Sequence, residues 1–296
     1  MIDLHMHTTY SDGTDTLKEL LTKCNEKNLE IISITDHNSC KSYYEMEHFN
    51  YKDLYKGNII VGCEFTTSYK GKLIELLGYD FDYKKVEEYL NDYYTEERYQ
   101  YNCLSIYNSF MNRIKEIGFN YEIKDMSNKK FTSEFFERSI YNEIIKDEKN
   151  KEKLNEDVWA NFGDFYRKGL TNPKSKLYIN YGLYKPTIKD IINLVHNNGG
   201  KIFLAHPYQY KLDNTIEFIN NLFDEYDIDG IECFYTLFSK EETNNIKEFA
   251  CSRNLLVSGG SDYHGTRKEN HELGIGRGNL YIDKNILDNW NIKYYK

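Results

Sequence analysis

The chain has no excess of positive charge, no apolar run of membrane-spanning length and no paired cysteine spacing, and each absence removes a class of function. Its 38 basic and 47 acidic residues leave a formal net charge of −9, which argues against tight non-specific binding of nucleic acid or of an anionic membrane. A phosphorylated substrate stays open, because bound divalent cations invert the local field. With no long apolar segment and no basic-then-apolar leader, the chain is expected to work in the cytoplasm, off the membrane, and no obligate protein partner is evident. The six cysteines (24, 40, 63, 103, 233 and 251) lack zinc-ribbon or redox spacing and are expected to be buried free thiols. No internal repeat or low-complexity tract interrupts the 296 residues, a length suited to one barrel-sized domain with an insertion.

What is present is a series of short aliphatic runs, each followed by a residue able to bind metal. Ile2-Asp3-Leu4 leads to His5-Met6-His7, Ile31-Ile32-Ser33-Ile34 to Asp36-His37, and Ile59-Ile60-Val61 to Glu64. Later, Ile202-Phe203-Leu204-Ala205 leads to His206, and Leu255-Leu256-Val257-Ser258 leads through a glycine pair to Asp262-Tyr263-His264. Apolar runs of this length read as buried strands, and strands separated by helical segments predict a parallel sheet or barrel. Residues at the ends of such strands emerge on one face, where one site can collect them. Residues two apart on a strand point the same way, so His5 with His7, and Asp262 with His264, can each offer two ligands to one centre.

The helices are legible in the same way. Thr16-Leu17-Lys18-Glu19 predicts a capping box, with Leu17, Leu20, Leu21 and Cys24 on one face of the helix that follows. Residues 73–78 form a further run, either the hairpin partner of the Glu64 strand or its next neighbour. The expected organisation is a barrel over residues 1–82, a helical insertion over the barrel mouth at 83–173, and the rest of the barrel at 174–296. In the insertion, Leu104, Tyr107, Met111 and Ile114 fall at helical spacing. Tyr93, Tyr94, Tyr99, Tyr101 and Tyr107 are expected to form its packing face, with stacking on nucleobases as the alternative. The aromatic tail at 287–296 is expected on the outside of the barrel. His48, His196 and His271 lack strand-end context and read as surface residues.

Taken in order, His5-Met6-His7, Tyr10-Ser11-Asp12-Gly13, Ile34-Thr35-Asp36-His37, Gly62-Cys63-Glu64, Ala205-His206-Pro207 and Gly260-Ser261-Asp262-Tyr263-His264 resemble the motifs of the PHP (polymerase and histidinol phosphatase) superfamily. Within it they are most similar to stand-alone phosphoesterases acting on nucleotides and short oligonucleotides. The likeness covers roughly residues 1–80 and 185–280. It implies a distorted (β/α)7 TIM-like barrel with up to three divalent cations at the ends of its strands. By that resemblance one metal is held by His5, His7, Glu64 and Asp262, with Glu64 bridging to a second that also takes His206, while Asp12, His37 and His264 hold a third. Imidazole mixed with carboxylate suits Mn, Zn or Fe better than Mg, and such a cluster activates water as hydroxide for attack on a phosphoryl group, with no protein nucleophile. Asp36 is expected to orient an imidazole from outside the ligand shell.

The chain departs from the family pattern twice. Where the family usually has a His after the bridging glutamate, this chain has Glu75, a carboxylate able to ligate with a harder preference. The Arg-x-His motif of the nucleotide-acting branch is missing, which leaves Arg98, Arg113 and Arg138 as candidates for phosphate recognition. The implied activity is hydrolysis of phosphomonoesters, nucleotides above all. The alternatives are 5′-3′ exonuclease action on short oligonucleotides, histidinol phosphatase, or a non-catalytic metal-binding domain.

Overall fold

The computed structural model describes residues 1–123, 130–131 and 136–296. Seven strands form one sheet in sequential order: β1 (Ile2–Asp3), β2 (Ile31–Ile34), β3 (Asn58–Tyr69), β4 (Lys72–Tyr79), β5 (Lys201–Leu204), β6 (Gly230–Tyr235) and β7 (Leu256–Gly260). β1, β2 and β3 pair in parallel, as do β5, β6 and β7, whereas β4 runs antiparallel to β5. The β3–β4 connection is a two-residue turn, Lys70 at φ 48° and Gly71 at φ 78°. Two successive positive φ values are what a tight hairpin asks for, and glycine supplies one without strain. Residues 73–78 are therefore the hairpin partner of the Glu64 strand.

The sheet curls until its ends meet, giving the α/β barrel expected from the sequence. Leu4 N donates to Gly259 O at 3.1 Å, Asp262 N to His5 O at 2.8 Å, and His7 N to Tyr263 O at 2.9 Å. Closure this tight requires glycine at position 260, where an added Cβ would lie 2.4 Å from the backbone nitrogen of His5.

The chain divides into two compact units, residues 1–67 with 74–91 and 186–296, and residues 68–73 with 92–185. The first contains the barrel and its helices. Leu17–Glu26 opens with the full Thr16/Glu19 capping box and buries Leu17, Leu20, Leu21 and Cys24. Ile188–Asn197 has a second capping box at Thr187 and Asp190, and Lys240–Ser252 a third at Ser239 and Glu242. The second unit is helical, dominated by Glu96–Ile117, which is capped by Thr95 and stopped by Gly118 in the left-handed conformation. Its own core gathers Phe110, Ile144, Phe165, Leu170 and Leu177.

Several sequence expectations are corrected. The tail at 287–296 is more than an outer layer, since Trp290 is fully buried in one apolar cluster with Ile2, Leu4, Tyr79 and Phe203, its ring 4.5 Å from that of Phe203. The tyrosine stripe of the insertion is not a continuous packing face: Tyr107 is buried, but Tyr101 is 68% exposed. His271 is buried at 5% exposure rather than on the surface. All six cysteines are free, and Cys24, Cys40, Cys63 and Cys233 are buried as expected, but Cys251 is exposed.

Candidate metal centre

The extended segment beyond β1 carries His5 and His7, both fully buried. A parallel bridge between Met6 and Tyr263 and another between His37 and Glu64 continue the strand pairings past the sheet, so the histidines leave neighbouring strands in register. The loop bearing Asp12 is drawn against the same place: a Cβ on Gly13 would lie 2.5 Å from His7 O. Two of these positions hold strained backbone. His206 has φ 23° and Asp262 has φ 52°, a region that costs a non-glycine residue of order 1 kcal/mol or more and persists only where surrounding contacts over-determine it.

The convergence centres on Glu64. Its Oε2 lies 3.2 Å from His5 Nε2, 3.3 Å from His7 Nε2 and 3.2 Å from His37 Nδ1, and its Oε1 lies 2.9 Å from His206 Nε2. Asp262 Oδ1 lies 3.5 Å from His5 Nε2 and 3.3 Å from His7 Nε2. Asp12 Oδ1 lies 3.0 Å from His264 Nε2 and 3.7 Å from His37 Nε2. The Glu75 carboxylate, on the reversed strand β4, reaches 3.3 Å from His206 Nε2 and 3.7 Å from His37 Nδ1. All nine residues singled out from the sequence thus meet in one cluster. It opens on one side, where the side chains of His37, Glu75 and Asp12 are 26%, 28% and 32% exposed. Glu64 lies beneath at 1%.

The donor set fits divalent cations. His5 Nε2, His7 Nε2, His37 Nδ1, Glu64 Oε2 and Asp12 Oδ1 are buried and have no hydrogen-bond partner. A buried polar atom left unsatisfied costs about 1–3 kcal/mol, and five converging on one space make a poor protein interior but a good ligand shell. Among the described residues, three groups of imidazole and carboxylate atoms each fall within 4.8 Å: His7, Asp12, His37 and His264; His5, His7 and Glu64; and His37, Glu64 and Glu75.

Charge in the cluster is tightly coupled. Burial works against a charged His7, but its contacts with Asp262 and Glu64 outweigh this and raise its pKa to about 9. Burial and the neighbouring His7 together lower His264 to about 4. Burial opposes the charge of Glu64, yet His5 and His37 hold its carboxyl well below the ordinary range. Protons on imidazole thus compensate carboxylates that a bound cation would otherwise neutralise.

Asp36 reaches an imidazole through Ser11: its carboxylate accepts from Thr8 N and Oγ1 (both 2.7 Å), Ser11 Oγ (2.6 Å) and Ser42 Oγ (2.6 Å), and Ser11 Oγ lies 3.4 Å from His7 Nδ1. The sequence expectation missed Glu232, which bonds an imidazole directly, with Oε1 2.9 Å from His5 Nδ1 and Oε2 accepting from His206 N at 2.8 Å. Its signal in the sequence was a charged residue inside the otherwise apolar strand Gly230-Ile231-Glu232-Cys233. Tyr235 and Lys268 were also missed; both bond Asp262 Oδ2, at 2.7 and 2.5 Å. Arg98, Arg113 and Arg138 lie in the helical unit, each with a local contact. Arg98 stacks on Tyr93 at 4.1 Å and Arg138 on Phe162 at 4.3 Å, while Arg113 pairs with Glu116 at 2.7 Å.

A nearly closed barrel whose strand ends gather imidazoles and carboxylates around one shared glutamate defines a metal-dependent hydrolase. The chain belongs to the PHP domain family, whose match spans residues 3–246. Among characterised relatives, the 5′-3′ exoribonuclease Rnm of Escherichia coli (strain K12) is 24% identical over 270 residues, covering 88% of this chain and 84% of the relative. The phosphoribosyl 1,2-cyclic phosphate 1,2-diphosphodiesterase of Eggerthella lenta is 24% identical over 271 residues, 89% of this chain and 94% of the relative. Two solved structures share the fold at 19% identity, each with TM-score 0.59. One is an amidohydrolase of Chromobacterium violaceum with bound sulfate and no metal, matched over 92% of this chain and 89% of that one. The other, from Bifidobacterium adolescentis and described as a metal-dependent phosphoesterase, is matched over 97% and 94%. Family and relatives together make this protein a metal-dependent phosphoesterase. Among the described residues no helix is long and apolar enough to cross a membrane.

Proposed function

We propose that this protein hydrolyses phosphate esters of nucleotides at the Glu64 cluster, working in the cytoplasm. The observation that carries the reading is the sharing of Glu64 Oε2 by three imidazoles, whose facing nitrogens are buried, make no hydrogen bond and have only carboxylates of the same cluster beside them. His5, His7, Glu64 and Asp262 would hold one cation, Glu64, Glu75 and His206 a second, and Asp12, His37 and His264 a third. Such cations supply Lewis acidity to phosphoryl oxygens and lower the pKa of water towards neutrality. The mixed donor set favours Mn, Zn or Fe over Mg, with Glu75 pulling one position towards Mn. Glu232 fixes the tautomer and tilt of His5, since an imidazole nitrogen bonded to a carboxylate presents its other nitrogen as the donor to metal. The exposed edge formed by His37, Glu75 and Asp12 is where a phosphoryl group enters. The four buried free thiols suit a reducing compartment.

Two substrate readings follow. Phosphomonoesters of nucleotides need only the cluster and its open edge. Removal of nucleotides from the 5′ end of short RNA is favoured by the relatives named 5′-3′ exoribonuclease. The test is product analysis after metal-stripped protein is reloaded with Mn, Zn, Fe or Mg and offered mononucleotides, 3′,5′-bisphosphates, histidinol phosphate and 5′-phosphorylated short RNA. Inorganic phosphate from the mononucleotides supports the first reading, and stepwise release of mononucleotides from RNA supports the second. Absence of turnover with every metal and substrate would overturn both.

A further inference from the structure

The two aspartates of the cluster use their oxygens asymmetrically. Asp262 turns Oδ1 to His5 and His7 and turns Oδ2 away, to Tyr235 Oη at 2.7 Å and Lys268 Nζ at 2.5 Å. Asp12 turns Oδ1 to His264 and Oδ2 towards Arg267 Nε at 3.7 Å, while Arg267 Nη1 donates to Asp12 O at 3.2 Å. The two cations are consecutive, and their loop is pinned at both ends. Thr266 N donates to Thr14 Oγ1 at 2.8 Å, and Gly274 N donates to Asp3 Oδ2 at 2.8 Å. Among the described residues, no other lysine or arginine pairs with Asp12, Glu64, Glu75 or Asp262.

Charge balance makes this pair informative. Asp12, Glu64, Glu75, Asp262 and the adjoining Glu232 bring five negative charges, while two divalent cations with an arginine and a lysine bring six positive and three bring eight, so the loaded centre keeps surplus positive charge. Two further positive charges beside a cation cluster are unfavourable unless an anion completes the site. A phosphoryl group is such an anion. The fork of arginine and the rotatable donors of lysine both suit its oxygens, and the Arg267 and Lys268 side chains are 51% and 35% exposed, leaving donors free of Asp12 and Asp262 to face an incoming ligand.

We infer that Arg267 and Lys268 form the phosphate-recognition element of this protein, in place of the missing Arg-x-His motif, gripping oxygens of the phosphoryl group at the cluster while Asp12 and Asp262 hold both side chains in position. The inference rests on the phosphoesterase reading for the identity of the anion, but its test does not require turnover.

The experiment measures binding of inorganic phosphate to Mn-loaded protein by calorimetry, alongside metal content by mass spectrometry, for wild type, Lys268→Met, Lys268→Arg and Arg267→Met. Loss of one charge-assisted contact should weaken phosphate binding roughly ten- to a hundredfold in Lys268→Met and Arg267→Met, with Lys268→Arg nearer wild type and metal content unchanged. Where turnover is measurable, KM for the phosphorylated substrate should rise more than kcat falls. Unchanged phosphate affinity in both methionine variants, or no phosphate binding by wild type, would overturn the inference. Loss of metal from Lys268→Met would also overturn it, by showing that Lys268 serves only to hold Asp262. Wild-type protein that binds phosphate through these residues yet hydrolyses nothing would sink the substrate reading and leave the recognition element standing.

Discussion

Glu232 and His5 are paired at 2.9 Å in the barrel interior, both fully buried, and the second oxygen of Glu232 holds the backbone nitrogen of His206. One carboxylate thereby aims a ligand at the start of the chain and fixes the backbone of another two hundred residues later.

Replacing Glu232 with Gln keeps the volume but weakens both bonds. Metal affinity should fall roughly ten- to a hundredfold, as with other carboxylates that orient a ligating imidazole. Titration of metal-free protein with Mn or Zn measures this, and affinity equal to wild type would show that His5 needs no such partner.

Glu64→Ala removes the atom shared by three imidazoles. Turnover should fall at least about a hundred- to a thousandfold, and bound metal per chain should drop in the same preparation. A variant that keeps both full metal content and full rate would place the chemistry elsewhere.

Glu75 gives a sharper comparison. Glu75→Ala should lower metal content at the position it shares with His206, whereas Glu75→His should restore it and shift preference from Mn towards Zn, since imidazole is the softer donor. Elemental analysis of proteins loaded from an equimolar mixture of Mn and Zn would show this shift. Unchanged stoichiometry in Glu75→Ala would mean that the carboxylate is not a ligand.

His7 makes metal binding pH-dependent in a definite direction. With its pKa raised to about 9 in the metal-free protein, it is protonated at neutral pH, and a cation must displace that proton. Affinity should therefore climb as pH rises from 7 towards 9 and flatten above, with protons released on binding at pH 7.5. Calorimetry in buffers of different ionisation enthalpy counts those protons. An affinity that is flat across this range would contradict the assignment of His7 as a ligand.

Trp290→Ala tests the tail. Truncating a fully buried Trp packed on Phe203 and Tyr79 should cost about 3–5 kcal/mol, read as a lowered denaturant midpoint. Wild-type stability would return the tail to the role of an outer layer.

Much of the barrel was legible because it depends on local pattern. Aliphatic runs bounded by polar residues mark buried strands, and the expected capping box at Thr16 and Glu19 and the run at 202–205 match the observed helix start and, to within a residue, the observed strand. The cluster residues were legible for a different reason: the family motifs that carry eight of them stand in order along the chain, and Glu75 stands where the family usually has a His. Which imidazole Asp36 serves was not legible: it stands next to His37 in the chain, yet its contact runs through Ser11 to His7. His271 was misread because it lies on a loop tied to the start of the chain, Gly274 N donating to Asp3 Oδ2 at 2.8 Å, a long-range contact with no periodic trace.

Which residue types can bind metal, and that they sit at strand ends, is thus a property of the linear order. Strand register and barrel closure decided the rest: that Glu232 faces His5, that β4 runs in reverse and still delivers Glu75 to the cluster, and that Arg267 reaches Asp12. Those pairings join residues separated by up to two hundred and fifty-five positions, and only a closed sheet with a single register brings them within hydrogen-bonding distance.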